Sequence, residues 1–512
     1  MIRERLAAVR SSRLWQVRIV VLLVVVALLV PSAVSALTHE SLDLQRGTID
    51  EPANGTTVIA VQGYKISGQN STKKPARLVG VGPRGGVQWV HEATDEVRWF
   101  YDVDPLEDGT LLVVATNTEQ SIVFRYDPAT DERLWTERFD FHDTHDVDLI
   151  NDDELLIANM RGYNETTERN GERLLVYNRT QEEVTWEWEF ERIYDREDGG
   201  SYTGDWTHVN DVDKIDEGRY LASPRNMDEV IVVNRSTKDV ELRLGEDGNH
   251  SVLYEQHNPM YLEGAEGDPT VLVADSENDR IVEYEIDGGG DWRTANRTDA
   301  DWNRTWELGT GGQFNWPRDA DRLPSGNTLV TDSLNHRVME VTPEGEIVWE
   351  FYSPWAPYEA ERVALGDEPG GPTIADQNAT GAHPLNNSAQ LTPGSSEGAT
   401  FGQWLRATAA GTPVESQVDE LAARWSHVVP WIRPVWMDPW AFVAAVGATL
   451  VTVGWAGGEL VYNRRRIWAA ISGLLARIRR LADDDAPPGP TEAAGDDSKS
   501  GDTSEGADTT DD

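Results

Sequence analysis

Residues 318–351 read RDADRLPSGNTLVTDSLNHRVMEVTPEGEIVWEF. Short runs of Val, Leu, Ile, Met and Trp are separated by Pro-Ser-Gly-Asn, Ser-Leu-Asn-His and Pro-Glu-Gly, which are turn chemistry. That is a four-stranded antiparallel unit without helical periodicity. Working outward, units of this kind recur at about 57–92, 95–139, 144–190, 207–245, 253–309 and 315–351, several ending on a tryptophan strand: Trp89, Trp135, Trp186, Trp306 and Trp349. A period of roughly 40–60 residues with several strands in each unit is that of a propeller blade. The predicted fold is all-β: a six-bladed β-propeller ectodomain flanked by N- and C-terminal transmembrane helices.

Five of the six units carry a related tetrapeptide near their start: Tyr101-Asp-Val-Asp, His145-Asp-Val-Asp, Asn210-Asp-Val-Asp, a diverged His257-Asn-Pro-Met, and Arg318-Asp-Ala-Asp. The constant acid pairs (Asp102/Asp104, Asp146/Asp148, Asp211/Asp213, Asp319/Asp321) are assigned to hydrogen bonding in the blade turns. The variable leading residue belongs near the mouth of the central channel, one from each blade. His208, two residues before Asn210, points to the same side if strand alternation holds, and Arg225 ends the next strand of that blade. His142 is assigned to a turn and His336 to a strand end. His91, His250, His383 and His427 receive no role.

The formal charge of −44, with six lysines among 45 basic residues, excludes nucleic acid as a partner, because phosphate binding needs clustered Lys and Arg. A uniformly acidic, lysine-poor surface suits strong salt. With no cysteine there is no disulfide, no thiolate nucleophile and no Cys-ligated metal. Two uncharged runs, Ile19–Leu37 after Arg3, Arg5, Arg10, Arg13 and Arg18, and Pro439–Gly458 before Arg464, Arg465 and Arg466, approach the ~20 residues a membrane helix needs. Ten Asn-x-Ser/Thr sequons (Asn54, Asn70, Asn164, Asn178, Asn234, Asn249, Asn296, Asn303, Asn378 and Asn386) all fall between them. The expected layout is a cytoplasmic stub and signal anchor over 1–37, a lead-in over 38–56 and the propeller over 57–352. A Pro/Gly/Ser-rich spacer and membrane approach follows over 353–437, then a transmembrane helix over 438–462, a basic amphipathic helix over 463–481 and a disordered acidic tail over 482–512. Both termini would be cytoplasmic and the ectodomain extracellular.

Three histidines converging with Arg and Asn admit two chemistries. One is a His₃ zinc site with an open position. The other is transfer of an anionic group, with imidazole as nucleophile or base and Arg holding oxyanion oxygens. A nearby arginine disfavours a cation and favours the second.

His145-Asp, Thr207-His208-Val-Asn210, Ser223-Pro-Arg225 and Gln256-His257, in this order, resemble the arylsulfate sulfotransferases, six-bladed propellers that move a sulfuryl group between phenols without phosphoadenosine phosphosulfate. With the acidic surface and the two apolar runs, the chain looks like a haloarchaeal, membrane-anchored member. The resemblance implies a ping-pong reaction through a sulfohistidine, with no cofactor and no metal. It makes His257 the nucleophile and places His145, His208 and Arg225 around the sulfate with Asn210 beside them; the ring of leading residues adds Tyr101 and Arg318 to Asn210 at the substrate. An aryl sulfate donor, a phenolic acceptor and the membrane would be the partners, and a homodimer is admitted. The rival readings are an NHL-like, non-catalytic propeller binding a protein or polysaccharide at the cell surface, and a metal-dependent hydrolase.

Overall fold

The computed structural model describes residues 13–38, 43–64, 74–94, 96–117, 119–265, 267–288, 293, 297–309, 312–389 and 399–484. Arg3, Arg5 and Arg10, the sequons Asn70 and Asn296, and the acidic tail from 485 on lie outside these residues.

Six sheets form the blades, each built on four antiparallel strands, and blades 5 and 6 carry a fifth strand at the edge. Blade 2 is the simplest, with strands Trp99–Pro105, Leu111–Thr116, Ser121–Asp127 and Glu132–Phe139 from the channel outward. Its second strand is buried throughout, whereas its fourth alternates between exposed and half-buried positions. A strand packed on both faces is apolar along its length, and one packed on a single face alternates. The core consists of six apolar layers, one between each neighbouring pair of blades. The outer tryptophans join these layers: Trp186, Trp306 and Trp349 donate from Nε1 to Arg235 O, Pro343 O and Pro83 O of the next blade at 2.8, 2.9 and 3.2 Å.

The flanks of the propeller differ from the expected boundaries. Blade 1 takes three strands from 57–92, but its innermost strand is Pro357–Arg362, which pairs antiparallel with Thr57–Val61 and closes the ring. This strand carries Tyr358-Glu-Ala-Glu, a sixth copy of the tetrapeptide with Glu in place of Asp. The stretch 353–437, expected as a spacer from its composition, also contributes Gly381–His383 to the edge of blade 5. Two helices follow in it, Phe401–Ala409, capped by Thr400 and Gln403, and Glu415–Ile432. The lead-in likewise holds Gln45–Ile49, an extra strand on blade 6. Composition misled here because one closing strand lies in a Pro- and Gly-rich segment.

Two helices are long and apolar enough to cross a membrane, Trp15–Thr38 and Pro439–Ile478. The second belongs to a single helix, Pro439–Asp484, so the expected division between a membrane helix and a separate amphipathic helix at 462/463 is not seen. By contacts the chain divides into two units, residues up to Leu28 with those from Val446, and Leu29–Ala445. In the first, Arg18 Nε and Nη2 donate to both Glu459 oxygens at 2.8 and 2.7 Å, so these charges on the apolar helices are paired. In the second, Ser32 Oγ and Ser35 Oγ donate to Ala441 O and Trp436 O.

Candidate functional site

In every blade but the third, the leading residue of the tetrapeptide stands where the innermost strand carries one residue more than its neighbour. Such register shifts occur in blades 1, 2, 4, 5 and 6, at or beside Tyr358, Tyr101, Asn210, His257 and Arg318. A bulge re-aims a side chain that simple alternation would send into the blade. In five blades the residue two positions earlier is left-handed: Asp143, His208, Glu255, Trp316 and Ala356 have φ of 63, 46, 46, 54 and 53°. His208 therefore precedes its strand, which begins at Val209, and this left-handed turn rather than strand alternation directs its ring. Each such non-glycine residue costs about 1–2 kcal/mol, a strain the surrounding blades must hold.

The ring residues meet. His145 lies 4.1 Å from Tyr101, 5.0 Å from His208 and 5.4 Å from Tyr358, ring centroid to centroid. His257 lies 6.0 Å from Tyr358 and 6.2 Å from Trp316, and the Arg318 guanidinium sits 4.7 Å from both of those rings. Tyr358, absent from the expected set, thus touches Tyr101, His145, His257 and Arg318. Reading the sixth tetrapeptide with Glu allowed for Asp would have found it.

Hydrogen bonds determine which nitrogen carries the proton in His257 and His208. His257 Nδ1 is 2.8 Å from Ser276 Oγ and 3.2 Å from Glu255 O. Ser276 gives its one proton to a carbonyl, Pro317 O at 2.7 Å, so Nδ1–H is the donor and Nε2 keeps a lone pair. His208 Nδ1 faces both Asp205 oxygens at 2.9 and 2.8 Å, and its buried Nε2 has no hydrogen-bond partner. The Tyr358 hydroxyl meets His145 Nδ1 at 3.0 Å. If that hydroxyl donates, it leaves His145 Nε2–H as a donor. The Gln256 carbonyl can only accept, so its 2.8 Å contact with Asn210 is the amide NH₂, and the buried Asn210 Oδ1 stays unpartnered. The Tyr101 hydroxyl is engaged, donating to Asp143 Oδ1 at 2.6 Å.

Charge is unevenly compensated. Arg225 contacts Glu255 Oε2 at 3.2 Å. Arg318 is 4% exposed and has no carboxylate partner among the described residues. Its Nη1 donates to Gln62 Oε1 at 2.8 Å and its Nε has no partner. Burial, followed by the nearby Arg318, Arg225 and His208, holds His257 well below the ordinary histidine value. Burial and the other two histidines do the same for His145. Burial and Arg225 bring His208 down to about 4, against the opposing pull of Asp205. All three imidazoles are neutral at pH 7. The arrangement is an electropositive pocket with neutral bases, suited to an oxyanion.

Two further elements were not anticipated. Asp205 lies three residues before His208, and Arg161 bridges Asp143 and Asp205 at 2.8 and 3.4 Å. The helix Glu415–Ile432 packs beside the ring: His427 stacks with Trp316 at 6.2 Å and contacts Asp279 and Glu277 at 2.9 and 3.2 Å. Its loop-like sequence context hid this role.

The acid pairs are not turn residues. They lie on the innermost strands, Asp146 immediately before its own, and face the channel, where Asp102, Asp146, Asp319 and Glu359 accept from Val147 N, Val212 N, Ala360 N and Val103 N of the adjacent blade. The clusters spaced for a metal ion among the described residues consist of these carboxylates and Asp367, and none includes a histidine.

A family model matches this chain. It is Arylsulfotransferase (ASST), over residues 54–258. That span contains His145, His208, Asn210, Arg225 and His257, and it supports sulfuryl transfer in general. No curated protein matches the sequence. Among solved structures, a protein of unknown function from Bacteroides caccae is similar at 13% identity and a TM-score of 0.41, over 60% of this chain and 98% of its own. Virginiamycin B lyase from Staphylococcus aureus with quinupristin is similar at 9% identity and 0.36, over 61% and 88%. A putative 6-phosphogluconolactonase from Bacteroides fragilis is similar at 10% identity and 0.36, over 61% and 99%.

Proposed function

We propose that the chain transfers a sulfuryl group from an aryl sulfate to a phenolic or other hydroxyl acceptor, with His257 as the covalent carrier, and that it does so outside the membrane to which it is anchored. The observation that carries this reading is a buried arginine, Arg318, without a counter-carboxylate among the described residues, beside a neutral imidazole whose Nε2 lone pair is free.

In the first half-reaction Nε2 of His257 attacks sulfur. The N–S bond forms as the S–O bond to the aryl group breaks, and its electron pair leaves on the phenolate. Arg318, Arg225 and the Nε2–H of His145 stabilise the charge spread over the sulfuryl oxygens. In the second, the acceptor hydroxyl gives its proton to Nε2 of His208, whose Nδ1–H is held by Asp205. The acceptor oxygen bonds to sulfur and the N–S pair returns to His257. Asn210 Oδ1 is an acceptor suited to orienting the incoming hydroxyl. No cofactor enters either step.

The test uses the full chain with a chromogenic aryl sulfate and an acceptor phenol. Phenol release that rises with acceptor, together with an acid-labile sulfuryl adduct on the His257 peptide, is the expected result. His257→Ala should lose about 10³-fold or more of the rate. Undiminished transfer by that variant would remove His257 as the carrier, and no phenol release by the wild-type chain would favour the binding propeller.

A further inference from the structure

Apart from the ring of histidines, the innermost strands enclose a cavity lined almost wholly by carboxylates, with no basic side chain among its described walls. Most of the first acids of the tetrapeptides are used structurally, each accepting an N–H from the next blade. Asp211 is the exception. The N–H it would receive belongs to the position occupied by Pro259 in His257-Asn-Pro-Met, and proline has none. Among the described residues Asp211 Oδ2 has no hydrogen-bond partner, nor has Asp213 Oδ2, although the two residues are only 5% and 8% exposed. Oxygens of Asp146, Asp211 and Asp213 all lie within 4.8 Å of one another. An ion about 2.4 Å from each oxygen, the usual calcium distance, spans that separation.

We propose that Asp146, Asp211 and Asp213 bind a hard divalent cation of the calcium type inside the channel, which locks blades 3 and 4 together beneath the histidine ring. The chemistry of the donor set selects this class: all ligands are oxygen, with no imidazole or thiolate to favour zinc or copper. Buried carboxylates at this spacing repel one another, so a cation relieves the repulsion and satisfies the orphaned oxygens at once. The site is separate from the proposed sulfuryl carrier, which belongs to the next blade.

The test uses the full chain, stripped with a chelator and returned to molar KCl, which screens diffuse attraction to the acidic surface. Thermal unfolding is followed against added CaCl₂, and calcium binding is measured by equilibrium dialysis. The wild-type protein should gain stability saturably as calcium fills the site. Asp211→Asn and Asp213→Asn should unfold at a higher temperature than wild type without calcium, because repulsion is relieved. Each should weaken calcium binding about tenfold or more. His257→Ala should keep the wild-type calcium response, so failure of the proposed transfer chemistry is read separately. Absence of a saturable response in wild type, or an unchanged response in both Asp variants, overturns the site.

Discussion

Ser276 has one proton, and with Pro317 O at 2.7 Å it is the donor to that carbonyl. The 2.8 Å contact to His257 must then run from the imidazole to the serine, and a serine outside the ring joins Glu255 O in fixing which nitrogen is free. Replacing the serine with alanine removes the shorter of the two contacts that hold the Nδ1 proton and leaves only Glu255 O at 3.2 Å. Ser276→Ala should lower kcat about 10-fold with KM little changed, which steady-state kinetics checks. Acid tolerance follows from the same burial. An exposed histidine loses its lone pair below about 6.5, but His208 stays neutral down to about 4 and His257 is also depressed. The rate profile should therefore be flat from pH 7 to 5 and fall only toward 4. An inflexion near 6.5 would contradict the buried arrangement. At Arg318, Lys keeps the charge but lacks the planar fork. Arg318→Lys should still lose about 10²-fold in kcat/KM.

At the scale of elements, the bulges and left-handed residues of the innermost strands turn a ladder into a ring of converging side chains. The helix Glu415–Ile432 is tied to that ring through His427, whose value rises to about 10 because Asp279 and Glu277 outweigh its burial. A raised value means that this contribution is complete below the unfolded value near 6.5 and lost as pH rises through about 10. Hydrogen exchange corrected for intrinsic rate should show the helix protected at neutral pH and opening near pH 10. His427→Ala should open it already at pH 7. Equal protection of the variant and wild type at pH 7 would remove His427 from the docking of this helix.

For the whole molecule, one strand from the far end of the chain completes the first blade. Truncation after Tyr352, the expected end of the propeller, removes Pro357–Arg362 and with it Tyr358, Glu359 and Glu361. That protein should lack a cooperative unfolding transition, because the loss exceeds the ~5–15 kcal/mol a domain possesses. Truncation after Asp484 should unfold as the full chain does. Calorimetry of the two decides the matter.

Repetition made the rest legible. Turn chemistry, tryptophan spacing and the Asp-x-Asp tetrapeptide are local, and they sufficed for six blades and for Tyr101, His145, Asn210, His257 and Arg318 as leading residues. Tyr358 escaped because its strand is adjacent to blade 1 in space and about 300 residues away in the chain. The direction of the His208 ring depended on a left-handed turn that alternation does not predict. The neutral state of the imidazoles, the missing counter-charge of Arg318 and the orphaned oxygen of Asp211 arise from burial and from groups on neighbouring blades. Residue identities and their period come from the sequence by itself. Which atoms are left without a partner was decided only when the ring closed, because desolvation and hydrogen bonding between blades exist only in the folded chain.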